Sequence, residues 1–429
     1  MKIEISKEDA DYMYDLVKRV VNDVGPRMPC SPQELEGSNI IKEELSKTCD
    51  DTRVESFECH PKAFLGWIKL IIIMVSISMV LYLVMSSLLN MFWLIFLSIF
   101  IVFLTIFSII IMWEEFFNYK EFIDPLFRKK SSQNVIGKFC SKGELKQIII
   151  FSSHIDSALQ FNLLKWLKWG FLILAFGGII IILVWLILSV INLVLMISGL
   201  VIFRTLFFNV AIWLLIIGSP CFIGLFLFVP FGDKGNVVPG AVDNLSSCSV
   251  IVGLGRYLKQ NIEIIPDNTE IRLISFGCEE CGLRGAFRYV EDHLEELRKY
   301  DAILVNMDGL ETTDKFAIIE YEPTTRTKHS PEVVNKLIEA TKTVNIPAKR
   351  FGAGKLEKTL GRLSGGSDAA AFSKARIKAG FINSADWKTR SSYYHQSTDT
   401  PDKIQPGTLE SALKICIAFI VNHKNELIR

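Results

Sequence analysis

The chain has no second Cys-x-x-Cys. Nine cysteines are spread over 429 residues, and Cys278 and Cys281 alone are spaced as a pair, so the two pairs of a four-thiolate zinc module are not present. The thiols read as reduced and structural. An excess of charge of one sign is missing too. The 47 Lys and Arg nearly balance 46 Asp and Glu, giving a net charge of +1 and a pI of about 7.5, so no global basic field points to nucleic acid as a partner. The first residues, MKIEISKEDADYMY, hold no apolar run of the kind a signal peptide needs, and nothing there is expected to carry residues 1–60 across a membrane. Acidic residues are absent from two long stretches, Gly66–Trp113 and Trp169–Phe231. Histidine is scarce at six, so each one counts.

What is present is a mixture. Half the residues (50%) are hydrophobic and mean hydropathy is +0.33, yet 22% are charged, which suits a chain with membrane and non-membrane parts. The first apolar stretch is about twice the roughly 20 residues that one crossing needs. It predicts two helices broken near Ser86–Asn90. The second, interrupted by Asn192 and Arg204, predicts helices near 169–191 and 206–230, the latter kinked at Pro220, with an apolar interfacial connection between them. Lysines and arginines gather at the outer ends of both hairpins, at Lys62, Lys69, Lys120, Arg128 to Lys130, Lys165, Lys168 and Lys234. The expected topology therefore has both tight turns outside and the polar regions in the cytoplasm.

The polar regions alternate strand and helix signals. Ser6 can cap a helix with Met13, Leu16, Val17, Val20 and Val21 on one face, ending at Gly25-Pro26. Ser31-Pro32-Gln33-Glu34 has the form of a capping box, and Arg53–Phe57 reads as a strand. Asn134–Gly137 and Gln147–Ser153 read as neighbouring strands. Asp243-Asn244 opens a helix through Tyr257, followed by strands at Ile271–Phe276 and Ala302–Met307, a helix within Cys281–Tyr300, and another capped by Ser330-Pro331-Glu332. The fold class expected is α/β: a mixed, largely parallel sheet flanked by helices, interrupted by two transmembrane hairpins. The expected division is 1–63, 119–165 and 233–429 for the α/β domain and 64–118 and 166–232 for the hairpins.

Ile148 to Phe151 suits a strand buried on both faces, which places His154 at a carboxyl end of the sheet, where ligands bind in open α/β folds. An isolated His-x-Asp is more often a loop histidine. The same position recurs, however, at Asp243, at Glu279-Glu280, at Asp308 in Asn306-Met307-Asp308-Gly309, and His395 follows in Tyr393-Tyr394-His395-Gln396. Singly these read as a helix cap, solvated charge, a turn residue and a loop group. Five nitrogen and carboxylate groups at one crevice can hold two zinc ions with one carboxylate bridging, and a further glutamate can activate water.

Taken in order, these motifs resemble the M28 family of metallopeptidases, the co-catalytic di-zinc aminopeptidases and their relatives. Gly25-Pro26-Arg27 with Ser31-Pro32, Asn134–Gly137, Pro239-Gly240-Ala241-Val242-Asp243-Asn244, Cys278-Glu279-Glu280, Asn306-Met307-Asp308, Ser367-Asp368 with Phe372, and Tyr394-His395 with Asp399-Thr400 carry the likeness. The resemblance implies that His154, Asp243, Glu280, Asp308 and His395 bind two Zn2+ ions, with Co2+ or Mn2+ as alternatives, and that Asp243 bridges them. It implies Glu279 as general base, Tyr394 as donor to the oxyanion, and Asp156 as the residue that fixes His154. Two departures spare the ligands: Cys278 stands before the glutamates and Ser246-Ser247-Cys248 after the bridging aspartate, where glycine is usual.

Because His154 and Asp243 must meet, the second hairpin must cross an even number of times, and the active-site mouth is expected near the membrane surface. The leading expectation is a membrane-embedded zinc exopeptidase, an aminopeptidase first, acting on apolar or membrane-associated peptides. The alternatives are a catalytically inactive scaffold, a zinc glutaminyl cyclase, and a four-helix transporter, against which the near absence of ionisable residues in the apolar stretches argues.

Overall fold

The computed structural model describes residues 3–85, 90–200, 202, 204–363 and 365–428. The chain divides into two units, one of residues 1–61, 128–160 and 233–429, the other of 62–127 and 161–232. In chain order the strands are β1 (Asp51–Cys59), β2 (Lys130–Phe139), β3 (Gln147–His154), β4 (Thr269–Phe276), β5 (Ile303–Leu310), β6 (Phe316–Ile319), β7 (Tyr321–Glu322), β8 (Thr327–Lys328), β9 (Ala348–Phe351) and β10 (Lys378–Ser384). All but the β7–β8 ribbon form one sheet in the order β1-β2-β4-β3-β5-β10-β6-β9. The centre, β4-β3-β5-β10, is parallel; β1 and β2 add on antiparallel at one side and β6 at the other.

The isoleucine run predicts β3 correctly. Ile148, Ile149, Ile150 and Phe151 are all fully buried, with Ile149 and Phe151 on one face and Ile148 and Ile150 on the other, the period-two division of a strand covered on both sides. The first face is covered by α1 (Lys7–Asp23), α2 (Pro32–Ser46) and three helices given below; the expected stripe Met13, Leu16, Val17 and Val20 is buried there. Each such side chain contributes about 1.5–3 kcal/mol by leaving water. One expectation needs correction: β2 and β3 are not neighbours. β4 lies between them, antiparallel to β2 and parallel to β3, because a strand from far along the chain inserts into the gap.

The second unit holds α3 (Ala63–Met85), α4 (Met91–Met112), α5 (Asn162–Leu167), α6 (Phe171–Ile197) and α7 (Arg204–Phe226), with Pro220 inside α7. Four of the helices, all but α5, are long and apolar enough to cross a membrane, with mean hydropathies of 2.2 to 3.1. Of the predicted break at Ser86–Asn90, Ser86 to Leu89 lie outside the described residues, and Asn90 caps α4 by accepting from the Phe92 amide. The outer faces stay apolar, as at Ile73, Val80, Phe92, Phe103, Ile187 and Trp213, an exposed surface that suits lipid rather than water. Asn192 does not end α6 as expected. Its buried amide donates to Ser98 Oγ of α4 and accepts from Tyr82 of α3, so two other helices satisfy it and the helix continues.

The remaining helices belong to the first unit: α8 (Ser246–Gln260), α9 (Arg284–Lys299), α10 (Pro331–Thr343), α11 (Lys355–Leu360), α12 (Asp368–Lys374), α13 (Trp387–Arg390) and α14 (Thr408–Ile428). Helices α8, α10 and α14 share the face of α1; α9 and α12 cover the other. Ser330 precedes α10 without a side-chain cap, contrary to the expected motif.

Candidate metal centre

Parallel strands aim their carboxyl ends at one edge, and there the sequence-predicted residues collect. His154 is the last residue of β3, in register with Phe276 of β4, so the turn Gly277–Glu280 emerges beside it. Asp308 lies near the end of β5. Asp243 was expected at a helix start, but it occupies a tight turn, Ala241–Leu245, in which Asp243 and Asn244 leave helical backbone and the peptide between them is cis. His395 sits on the loop after α13 with a left-handed φ of 52°.

The distances draw two groups that share one residue. His154 Nε2 is 3.3 Å from Asp243 Oδ1, 3.7 Å from Asp308 Oδ1 and 3.8 Å from Glu279 Oε2. His395 Nε2 is 3.5 Å from the other oxygen, Asp243 Oδ2, and 3.4 Å from Glu280 Oε1. His154, Glu279 and Asp308 thus offer one triad of donor atoms, and Asp243, Glu280 and His395 another. Asp243 faces both histidines.

Several observations test whether cations fit. His154 Nε2 and Glu280 Oε1 are buried without a well-aligned hydrogen bond, an expense that metal ligation removes. Four carboxyls share a dry space: burial pushes Glu279, Glu280 and Asp308 above the ordinary carboxylate range. Burial acts on Asp243 as well, but the two imidazoles overcome it and hold that carboxyl low. Burial disfavours a charged His154, and the Glu279 charge with its neighbours outweighs it and drives the imidazole up; His395 is pushed down by burial. A net negative, buried set of nitrogen and carboxylate donors is the chemistry that holds divalent zinc.

Asp156 contacts His154, as expected, and holds a neighbouring turn as well. His154 Nδ1 meets the Asp156 backbone carbonyl at 3.1 Å and its carboxylate only at 3.5 Å. The carboxylate also accepts from the amides of Glu279, at 3.1 Å, and Glu280, at 2.9 Å, fixing the turn that carries both glutamates. Asp399 does the same for the Asp243 turn, accepting from Val242 and Asp243 amides, and burial pushes its carboxyl up to about 8. Tyr394 lies against the His395 ring at a centroid separation of 4.0 Å and under the Arg390 guanidinium at 4.2 Å, with burial raising its phenol.

Sequence reasoning missed other supports. Arg27, completely buried, donates to the carbonyls of Ile155, Gly25, Pro239 and Gly240, so one guanidinium ties the exit of β3 to the approach of Asp243. Gly240, at φ 61°, has no room for a Cβ between Ser157 and the Asp243 carbonyl. Glu34 does not return to its own helix cap. It accepts from the Cys30 and Cys278 amides and the Ser132 hydroxyl instead. Glu311 holds the His395 loop through Tyr393, Thr389 and the Asp386 amide. Asp368, buried and without a hydrogen bond, contributes to raising Glu279. Arg27 and Asp368 stood inside motifs that carry the resemblance but were given no role, Glu34 was read only as a capping glutamate, and Glu311 had no signal.

The chain is similar to known proteins. Residues 229–420 match the model described as Peptidase family M28. Aminopeptidase YwaD of Bacillus subtilis (strain 168) is 33% identical over 185 residues, 42% of this chain, and the chain spans only 37% of that relative's length. The fold is similar to that of BSAP, a zinc aminopeptidase from Bacillus subtilis, with a TM-score of 0.52 at 15% identity over 96% of this chain and 95% of that one. It is also similar to a glutaminyl cyclase from an Acidobacteriales bacterium, with a TM-score of 0.54 at 12% identity over 99% and 98%. These identities speak for the fold alone, whereas the family model reads the residues themselves from the end of the second apolar stretch into α14. Residues 229–420 are thus similar to peptidase family M28.

Proposed function

We propose that the protein is a membrane-embedded, zinc-dependent aminopeptidase that removes N-terminal residues from peptides. The observation that carries this reading is Asp243, whose two carboxylate oxygens face His154 and His395 separately at 3.3 and 3.5 Å, the arrangement a bridging ligand needs. His154 and Asp308 would complete one position, Glu280 and His395 the other. Zinc held there would supply Lewis-acid polarisation of the scissile carbonyl and bring the pKa of water to roughly 7.

The protein's own groups do the rest. Glu279, with no place needed in either ligand set, takes the proton from the attacking water and returns it to the leaving amine. Burial and the neighbouring carboxylates raise its proton affinity, which suits a group that must hold that proton between the two steps. Tyr394 donates its phenolic hydrogen to the oxyanion, and its raised pKa keeps that hydrogen in place at neutral pH. Asp156, Asp399 and Arg27 position the turns and do not touch substrate.

Both ends of segment 161–232 return to the unit that holds His154 and Asp243, so this segment crosses a bilayer an even number of times. The clustered lysines and arginines favour a cytoplasmic catalytic domain. The apolar segment 161–232 is inserted in the chain between His154 and Asp243, and we infer apolar or membrane-associated peptides as substrates. The test is mass spectrometry of products from free, N-acetylated and C-amidated peptides, with detergent-purified protein beside Glu279→Gln. Stepwise N-terminal loss from unblocked peptides is expected from the wild type only. Release of pyroglutamyl peptide without free amino acid would replace this reading with a cyclase, and no turnover with zinc in detergent or lipid would leave a scaffold.

A further inference from the structure

Three thiols that the sequence scatters meet beside the Glu279-Glu280 turn. Cys30 Sγ lies 3.4 Å from Cys59 Sγ and 3.3 Å from Cys278 Sγ, and Cys59 and Cys278 are 3.4 Å apart, a nearly equilateral triangle. Cys281 packs in the same cluster, interacts with both Cys278 and Cys59, and donates to the Cys278 carbonyl at 3.3 Å. The four come from three places: the loop before α2, the last residue of β1, and the turn after β4. Cys59, Cys278 and Cys281 are buried and Cys30 is half-buried. The missing partners of the lone Cys-x-x-Cys are therefore supplied by the fold.

Three chemistries compete for such a cluster. A disulfide brings two sulfurs to about 2.05 Å and leaves the others aside, whereas here no pair is singled out. An iron–sulfur cubane spreads its thiolates around a cluster of several atoms, wider than this triangle. A single tetrahedral zinc, with bonds of about 2.3 Å, sets its thiolates about 3.8 Å apart, which the Cys30, Cys59 and Cys278 sulfurs reach by moving outward a few tenths of an ångström, with Cys281 turning in from its bond to the Cys278 carbonyl as the fourth. Thiolate donors also select zinc, where the nearby carboxylate and imidazole set accepts a wider range of ions.

The backbone is arranged to aim these sulfurs. Cys30 and Cys278 both adopt left-handed conformations, φ 57° and 55°, which residues other than glycine seldom take. The Glu34 carboxylate accepts from the amides of these same two residues, at 2.7 and 2.9 Å, locking both in that conformation.

We propose that Cys30, Cys59, Cys278 and Cys281 form a four-thiolate site for one divalent zinc ion, which fastens the turn carrying Glu279 and Glu280 to α2 and β1. Binding releases the thiol protons to solvent, with no change of oxidation state, and leaves a doubly negative complex near the buried Arg284 guanidinium, which acts on Cys59. The proposal stands apart from the peptidase reading, because its donors are sulfur and none belongs to the carboxylate centre.

The test uses the full chain in detergent, kept reduced and loaded with Co2+ in place of zinc. Thiolate-to-cobalt charge transfer in the near ultraviolet is expected from the wild type and from His154→Ala, which disturbs only the carboxylate centre. Cys59→Ser and Cys30→Ser should lose the band and one metal equivalent per chain. Since a serine variant may misfold, a second measurement needs none: titrating the zinc-loaded wild type with an organomercurial should release one equivalent of zinc as four thiols react. Absence of the band from wild type, mercurial titration without zinc release, or a disulfide among these cysteines on alkylation without reductant would each overturn the proposal.

Discussion

The two units solve opposite problems with polar groups. In the α/β unit charge is buried on purpose: Arg27, Glu34, Asp156 and Asp399 spend their hydrogen bonds on backbone amides and carbonyls of the turns that carry His154, Asp243 and the glutamates. Within helices α3, α4 and α6 the buried polar side chains of the described residues are neutral and several bond to one another, as in the Asn192–Ser98 and Trp185–Ser78 pairs, and the unit's buried acids, Glu115 and Asp124, lie beyond the ends of those helices. The contrast teaches where specificity is stored. Water can compensate a broken ion contact at a surface but not inside the first unit, so its charged residues should tolerate change worst.

The largest effect should fall on chemistry. Glu279→Gln keeps the shape and removes the base, so kcat should fall about 10^2–10^4-fold with metal content unchanged. Metal analysis sharpens the test, because Glu279 Oε2 also lies 3.8 Å from His154 Nε2. Loss of an ion in this variant would make Glu279 a ligand and send the search for a base elsewhere.

Next in size is the positioning charge. Arg27→Leu orphans four carbonyls at about 1 kcal/mol each, a loss of about 3–5 kcal/mol in denaturant unfolding. Arg27→Lys should recover little, since an ammonium cannot span four acceptors in a fork. Full stability in either variant would show that the turns hold themselves.

Glu34 offers a pH-dependent test in metal-free protein. Burial raises its carboxyl from 4.5 to about 8, so the folded state binds the proton more tightly than the unfolded one. Its stabilisation is complete below 4.5 and is lost as pH rises through about 8, at roughly 1 kcal/mol per pH unit. Glu34→Gln, which has no proton to lose, should flatten that slope in thermal unfolding followed against pH. An unchanged slope would assign it to other groups.

How much of this was legible beforehand follows from range. Periodicity and composition are local, and they mark β3, the α1 stripe and the existence of all four apolar helices, though not the end of α6. That His154, Asp243, Glu280, Asp308 and His395 gather at one place was legible because each sits at a strand end or turn whose own sequence announces it. Strand order was not: nothing in Asn134–Gly137 says that β4, over a hundred residues on, would displace β3 from its side. Asp243 was expected to open a helix because Asp-Asn before Ser246 has the composition of a cap, while the turn is held from across the site by the Asp399 carboxylate and by the Met307 carbonyl, which accepts from the Asn244 side chain. The cysteines failed for the same reason. Cys30 and Cys59 show no spacing that ties them to Cys278, and only the pairing of β1, β2 and β4 in the sheet brings them together.

The smallest effect should come from the apolar unit. Asn192 ended a predicted helix because an amide in an apolar stretch reads as an interruption, yet its side chain bridges Ser98 and Tyr82. Polar contacts of this kind between membrane helices are worth about 0.6 kcal/mol, since the separated helix finds other partners. Asn192→Leu should therefore shift stability in bicelles or detergent by less than 1 kcal/mol, roughly a quarter of the Arg27→Leu loss, with peptidase activity retained. The size of that ratio is the point. If Asn192→Leu proved as costly as Arg27→Leu, the apolar bundle would depend on its few hydrogen bonds as heavily as the catalytic unit does. Its helices would then be held by polar registry, with packing of Ile, Leu and Phe side chains in second place.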